Sequence, residues 1–222
     1  MTKPLAQGAT IGILGGGQLG RMLSVAASRL GFKCHIFEPG TNPPAGQVAD
    51  RVTTAPYSDL DALAAFAKSV DVITFEFENI PAEALDAVEN LCPVLPARNA
   101  LVTSQDRITE KAFLSGLGLN VAPYANVETP ADLVAAVASV GAPSILKTRR
   151  FGYDGKGQAR LKSTDDAQAA WDALGNTPSV LEGFIDFSHE VSVIGARSQS
   201  GEVVCYDPGE NVHRDVILHT TT

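Results

Sequence analysis

Cations are scarce in this chain, and the densest group of them sits beside glycines. Lys147 closes a strand-like run, Arg149, Arg150 and Phe151 follow, and then come Gly152, Tyr153, Asp154, Gly155, Lys156, Gly157 and Gln158. A lysine at a strand end followed by a loop with three glycines joins positive charge to mobile backbone donors, which is what a polyphosphate needs. The run is not a Walker A loop, because GxxxxGK[ST] is absent. The plain alternative is a flexible hairpin with surface cations, and the acidic balance of the rest of the chain counts against it.

A second glycine group, Gly15-Gly16-Gly17-Gln18-Leu19-Gly20, fits GxGxxG, and Glu38 follows 18 residues after Gly20. Between a strand and a helix this is the dinucleotide fingerprint. Its physical content is narrower: the glycines permit a tight turn, and a helix N-terminus offers unpaired N–H groups to any phosphate. A purely structural turn is the alternative.

Glu76, Glu78 and Asn79 leave the apolar run Asp71–Phe77 at what reads as the carboxyl edge of a sheet, where open α/β sheets bind ligands. Strand alternation predicts Glu76 and Glu78 on one face, with Phe75 and Phe77 on the other. Further on, Glu182-Gly183-Phe184-Ile185 and Glu190 close one strand and open the next, where carboxylates suit a ribose or an amino group and backbone suits a base edge. His213 reads as a polar contact and His219 as structural. Cys205 has no neighbouring His and is no nucleophile, and Trp171 reads as helix packing.

The elements that would position these residues alternate. Ala9–Leu14, a helix over about Leu19–Leu30 and the run Lys33–Phe37 make one βαβ unit, the seed of a parallel sheet. Ser58 with Asp61 predicts a capping box for a helix through Ala67, Asp71–Phe77 a buried strand, and Pro81 the first turn of a helix to about Asn90. A helix from Ser104 through Phe113 follows, with Val121–Tyr124 as a connection. Thr129 with Asp132, and Ser163 with Asp166, predict two further capped helices flanking the strands Ser144–Lys147 and Gln158–Leu161. Last come Pro178–Ile185 and the runs EVSVIGAR and EVVCYD, an antiparallel pair turning at Ser198–Gly201. The expected domains are 1–103, a doubly wound parallel sheet; 104–177, a linking helix and a small α+β lid; and 178–222, an α+β portion that begins without finishing.

Composition limits the function classes. The chain has 222 residues, 17 Lys plus Arg against 25 Asp plus Glu, a formal charge of −8 and 45% apolar residues. That excludes a disordered chain and argues against nucleic-acid binding. Three scattered cysteines and four histidines show no metal-ligand spacing and suit a reduced compartment. The start lacks the apolar core of a signal peptide, and no apolar stretch reaches a membrane span, so a soluble cytoplasmic protein without membrane partners is expected.

Read in order, GGGQLGRM, FEFENIP, SQDRITEKAFL, ILKTRRFGYDGKGQ, LEGFIDFSHEVSV and NVHRD resemble the ATP-grasp family over nearly the whole chain, from Thr10 to Thr222. The resemblance implies a ligase of purine (IMP) biosynthesis that uses ATP and bicarbonate to carboxylate 5-aminoimidazole ribonucleotide through carboxyphosphate. It places ATP against Arg107, Lys147, Gly152, Gly155, Gly157, Gln158, Glu182, Gly183, Phe184, Ile185, Glu190 and His213. It places the ribonucleotide against Gln18, Leu19 and Glu76, with Tyr153, Asp154 and Lys156 reaching the reacting groups. The glycine turn would then receive a substrate phosphate or ribose rather than NAD. The resemblance also implies a homodimer, and magnesium held by no residue of this chain but by ligands beyond residue 222. Val216 stands where many relatives carry glycine. Two alternatives stay open: a nucleotide-binding fragment without turnover, and an NAD-dependent oxidoreductase using GGGQLG and Glu38.

Overall fold

The computed structural model describes residues 4–152, 155–215 and 217–222. The chain divides into two compact units, residues 3–105 and 106–222.

The first unit begins with strand β1 (Thr10–Leu14), helix α1 (Gln18–Arg29) and strand β2 (Lys33–Phe37). Strand β3 (Arg51–Thr53), helix α2 (Leu60–Ala67), strand β4 (Val72–Phe75) and helices α3 (Ala82–Val88) and α4 (Arg98–Ser104) complete it. The strands are all parallel in the order β3-β2-β1-β4, and Val94 adds a parallel bridge beyond Ile73. Alternation along β1 and β2 sends neighbours to opposite cores. Leu14 and Phe37 join Leu63, Phe66, Leu85 and Val88 on one side, whereas Ile13, Cys34 and Ile36 join Ala27 on the other. Apolar residues on both faces make this sheet doubly wound.

Two local readings of this unit change. The cap of α2 is Asp59, whose side chain accepts the Ala62 N–H at 2.9 Å, and not Ser58. The strand expected through Phe77 ends at Phe75, although the Glu76 N–H still bonds to Leu14 O at 3.1 Å. Beyond that point alternation no longer holds: Glu78 is exposed, and its Oε1 accepts from Asn79 Nδ2 rather than sharing the surroundings of Glu76.

The second unit opens with helix α5 (Arg107–Gly116), strand β5 (Tyr124–Val127), helix α6 (Pro130–Val140) and strand β6 (Ser144–Thr148). Strand β7 (Gln158–Leu161), helix α7 (Ala167–Ala173) and strand β8 (Ser179–Gly183) follow. These strands form an antiparallel sheet in the order β5-β8-β6-β7. Both expected capping boxes form, Thr129 with Asp132 before α6 and Ser163 with Asp166 before the short turn that runs into α7. One face of the sheet carries Val127, Leu146, Leu161 and Leu181 into a core with Leu133, Val137 and Trp171.

The helix expected from Ser104 starts instead at Arg107, because Asp106 accepts the N–H groups of Ile108 and Thr109 and fixes the first turn. Tyr124, read as a connection, begins β5. The remaining strands are β9 (Glu190–Ser192), β10 (Gly195–Arg197), β11 (Val203–Cys205), β12 (Gly209–Arg214) and β13 (Ile217–Thr221). EVSVIGAR is therefore two strands. Its first part pairs with β12, and only β10 makes the expected hairpin with β11. No helix of the described residues is long and apolar enough to cross a membrane.

Candidate functional site

The face of the β5-β8-β6-β7 sheet away from its apolar core collects the charged residues. Register puts Lys147 opposite Gln158 and Val180, and Ile145 opposite Glu182 and Arg160. Directly opposed residues share a face, so Lys147, Gln158, Glu182 and Arg160 lie together. Tyr124 of β5 stands opposite Glu182 and joins them.

Glu182 is the centre of this face. Its Oε2 accepts from Lys147 Nζ at 2.8 Å, and its Oε1 meets Lys111 Nζ at 3.2 Å. Burial alone would raise the Glu182 carboxyl, but the Lys147 hydrogen bond and the charges of both lysines outweigh it and hold it below the usual carboxylate range. The carboxylate is thus ionised at neutral pH, and two lysines against it leave one positive charge over.

Arg107, at the start of α5, donates from one guanidinium nitrogen to Gly152 O at 3.2 Å, while its Nε is buried without a hydrogen-bond partner. A buried guanidinium N–H left unmatched is costly, and an anionic oxygen would satisfy it. The glycine loop is tied at both ends. Thr148 N–H bonds to Gly157 O at 2.8 Å, and a Cβ on Gly157, whose φ is +68°, would stand 2.6 Å from Thr148 Oγ1. Gly155 also has a positive φ. Lys156 is exposed on this loop, whereas Tyr153 and Asp154 lie outside the described residues.

Arg149, next to these groups in sequence, is engaged elsewhere: its guanidinium binds Asp106 at 2.8 Å and Glu128 at 2.6 Å. It braces the start of α5 against β6. Gly183 N–H and Phe184 N–H bond to Pro123 O and Pro143 O, fixing the chain as it leaves β8. Phe184 and Ile185 are exposed, and the Arg160 guanidinium lies 4.4 Å from the Phe184 ring centroid. Glu190 and His213 meet on the β9–β12 sheet, with Nδ1 to Oε1 at 3.5 Å.

The glycine turn of the first unit holds a different arrangement. Glu76 Oε1 accepts the Gly17 N–H at 2.7 Å and its Oε2 the Gly20 N–H at 3.0 Å. Glu38 accepts the N–H groups of Gly16 and Gly40 at 2.7 and 2.9 Å. Three donors of the turn that a dinucleotide pyrophosphate could use, those of Gly16, Gly17 and Gly20, are thus bound to carboxylates of the chain itself. Glu38 and Glu76 line one cavity of about 340 Å³ with Asn42 and Phe77. Gln18 lines another, of about 480 Å³, with Arg21 and Met22 on the outer side of α1, and Leu19 is exposed. The sequence candidates of this unit therefore adjoin at the turn but open into separate cavities.

Sequence reasoning missed two residues. Lys111 stands four positions after Arg107 on α5, and that spacing, which puts two cations on one helix face, was the available signal. Arg160 shares the face of Lys147 by register, which is visible only once β7 pairs with β6. Among the described residues, no three His, Cys, Asp or Glu side chains converge as a metal site.

Comparison with known proteins matches this geometry to a family. A model described as the ribonucleotide synthetase pre-ATP-grasp domain matches residues 8–105, and one described as the ATP-grasp domain matches residues 112–222. An N5-carboxyaminoimidazole ribonucleotide synthase from Brucella melitensis is 52% identical over 220 residues, covering 98% of this chain and 61% of that protein. The crystal structure of an N5-carboxyaminoimidazole ribonucleotide synthetase with ADP aligns with a TM-score of 0.93 at 42% identity, covering 100% of this chain and 59% of its own. The Aspergillus clavatus synthase in complex with ADP and 5-aminoimidazole ribonucleotide aligns with a TM-score of 0.85 at 31% identity, covering 96% and 56%. The chain thus spans about three fifths of the relatives it matches. With a doubly wound pre-ATP-grasp unit followed by an antiparallel sheet that gathers Lys147, Glu182 and a glycine loop, the chain belongs to the ATP-grasp family.

Proposed function

We propose that this chain carries out, or forms part of, the ATP- and bicarbonate-dependent carboxylation of 5-aminoimidazole ribonucleotide to its N5-carboxy derivative. The observation that carries the reading is the Lys147–Glu182–Lys111 group beside the unmatched Nε of Arg107: a partly buried, net positive face next to a glycine loop. Relatives named for this reaction, some of them solved with ADP, support it.

In this reading Lys147, Arg107 and the backbone donors around Gly152, Gly155 and Gly157 neutralise and orient the polyphosphate. Phosphoryl transfer needs little more from a protein than such positioning and charge. A bicarbonate oxygen attacks the γ-phosphorus, the bond to the β-phosphate oxygen breaks, and ADP and carboxyphosphate result. The carboxyl group then passes to the amine of the ribonucleotide, releasing phosphate and a proton. Gly183, Phe184 and Ile185 offer a backbone edge and an apolar surface to the base, and Glu190 and His213 add polar contacts. Glu76 takes the ribonucleotide at the turn, and Gln18, Leu19, Tyr153, Asp154 and Lys156 belong to the same proposal. Magnesium, which the family implies, would be held by one or two carboxylates together with the substrate's own phosphates; among the described residues no three His, Cys, Asp or Glu side chains converge to hold it alone. A homodimer and a cytoplasmic setting complete the reading.

The test is ADP formation by the 222-residue chain with bicarbonate and magnesium, with and without 5-aminoimidazole ribonucleotide. Stimulation by the ribonucleotide is expected. ADP release indifferent to both bicarbonate and ribonucleotide would sink the carboxylase reading.

A further inference from the structure

We propose that Lys111 is a positioning residue of the nucleotide site: it holds the second oxygen of Glu182 and thereby leaves the charge of Lys147 available to phosphate. The inference rests on the nucleotide reading of this sheet face. The geometry is specific. Lys147 Nζ lies 2.8 Å from Glu182 Oε2 and Lys111 Nζ 3.2 Å from Oε1, so each lysine has its own carboxylate oxygen. The three side chains are 25%, 11% and 14% exposed for Lys147, Glu182 and Lys111, so water screens them weakly.

Charge counting shows what the third member does. Lys147 and Glu182 alone form a neutral pair, with little net attraction for an anion. Lys111 turns the pair into a group of net charge +1, and because both carboxylate oxygens are engaged, Glu182 is fixed in rotation. Lys147 then keeps its remaining N–H donors aimed away from Glu182. Lys111 is itself held from below, with its Nζ 5.6 Å from the centroid of the Tyr124 ring, a residue opposite Glu182 in register. Arg107, one helical turn earlier on α5, presents its unmatched Nε from the same helix. The first two turns of α5 thus supply charge to a site whose lysine and carboxylate come from β6 and β8.

The experiment compares ATP and adenosine binding by calorimetry for the unmodified chain, Lys111→Met and Lys111→Arg, at low and high salt. Methionine keeps the apolar stem, and adenosine reports whether the base end of the site is still formed. Lys111→Met is expected to lose about tenfold in ATP affinity at low salt, with adenosine changed less than about twofold and the ATP loss shrinking at high salt. Lys111→Arg is expected to recover most of the ATP affinity, because the cation is restored. Equal losses for ATP and adenosine would mean a merely structural lysine and overturn the proposal, as would unchanged ATP affinity in Lys111→Met. If the unmodified chain itself binds no ATP, the nucleotide reading fails first and takes this inference with it.

Discussion

The Glu76 carboxylate accepts the Gly17 N–H at 2.7 Å, so the amino end of α1 is closed by an anion that the chain supplies. Gly20 N–H binds the other oxygen at 3.0 Å, and a Cβ on Gly15 would come within 2.5 Å of Glu76 Cγ. The glycines are needed for a carboxylate to lie against the backbone, the same geometry that elsewhere admits a phosphate. The same contacts count against a phosphate at Gly16, Gly17 and Gly20, whether of NAD or of the ribonucleotide expected at this turn, and Glu38, the ribose acceptor of the oxidoreductase reading, is itself bound to backbone N–H groups.

Glu76→Gln is expected to weaken 5-aminoimidazole ribonucleotide binding by about tenfold, since the amide loses the charge and sets its NH2 against the N–H of Gly17 or Gly20, which displaces the side chain. ATP affinity should stay within about twofold, because Lys147 and Glu182 belong to the other compact unit. Titration of each ligand separately decides it. Equal losses for both would remove Glu76 from the ribonucleotide site.

Lys147→Ala is expected to cost about 1.5–3 kcal/mol of ATP binding, the worth of a charge-assisted hydrogen bond, or roughly ten- to a hundredfold in affinity. It also leaves Glu182 with Lys111 alone, a neutral pair that repels no phosphate but attracts none. Unchanged ATP affinity would take Lys147 out of the site.

Much of this was legible in the sequence because it is local. Thr129 with Asp132 and Ser163 with Asp166 announce helix starts within four residues, and β1-α1-β2 announces itself by the change of period around GGGQLG. What failed was of two kinds. Neighbouring candidates compete, so the cap fell to Asp59 and not Ser58, and Asp106 moved the start of α5 past Ser104. Long-range pairing leaves no local mark. Glu76 reaches Gly17 across 59 residues, and Lys111 reaches Glu182 from α5, an element whose placement over β8 no periodicity records.

Gly15→Ala tests how tightly the turn is built. Gly15 has φ +101°, and the added Cβ would collide with the Glu76 side chain at 2.5 Å. Loss of about 2 kcal/mol or more in unfolding free energy is expected, from backbone strain together with displacement of the carboxylate. Gly116→Ala, where nothing lies within 4 Å of the added Cβ and the residue is exposed at the end of α5, is the control and is expected to be neutral or slightly stabilising. Equal stability of the two variants in urea titrations would show that the Glu76 contact does not constrain the turn.

Acid should weaken the first unit before it affects the second, because of His35. This ring is 1% exposed, with Nδ1 2.9 Å from Ser69 Oγ and Nε2 2.8 Å from Thr53 Oγ1. Ser69 Oγ donates to Phe66 O and so accepts from the ring, while the Thr53 hydroxyl can donate to the other nitrogen, an arrangement that suits a neutral imidazole. Burial, with the charge of Arg51 adding to it, lowers the His35 pKa from 6.5 to about 4. Between those values the unfolded chain binds a proton that the folded chain refuses, so stability is complete above pH 6.5 and falls as pH drops toward 4. The loss from this group amounts to about 3 kcal/mol. Asp106 and Glu182 in the second unit have lowered carboxyl pKa values, so their contribution is present above the ordinary carboxylate range and is lost only at more acid pH, as their folded pKa values are passed. The check is direct: the His35 ring protons should titrate in NMR near pH 4, and His35→Asn should flatten the fall in unfolding free energy between pH 7 and pH 4. A ring titrating near 6.5 would show that the imidazole is not held neutral by its burial, and the acid sensitivity of the sheet would then need another cause.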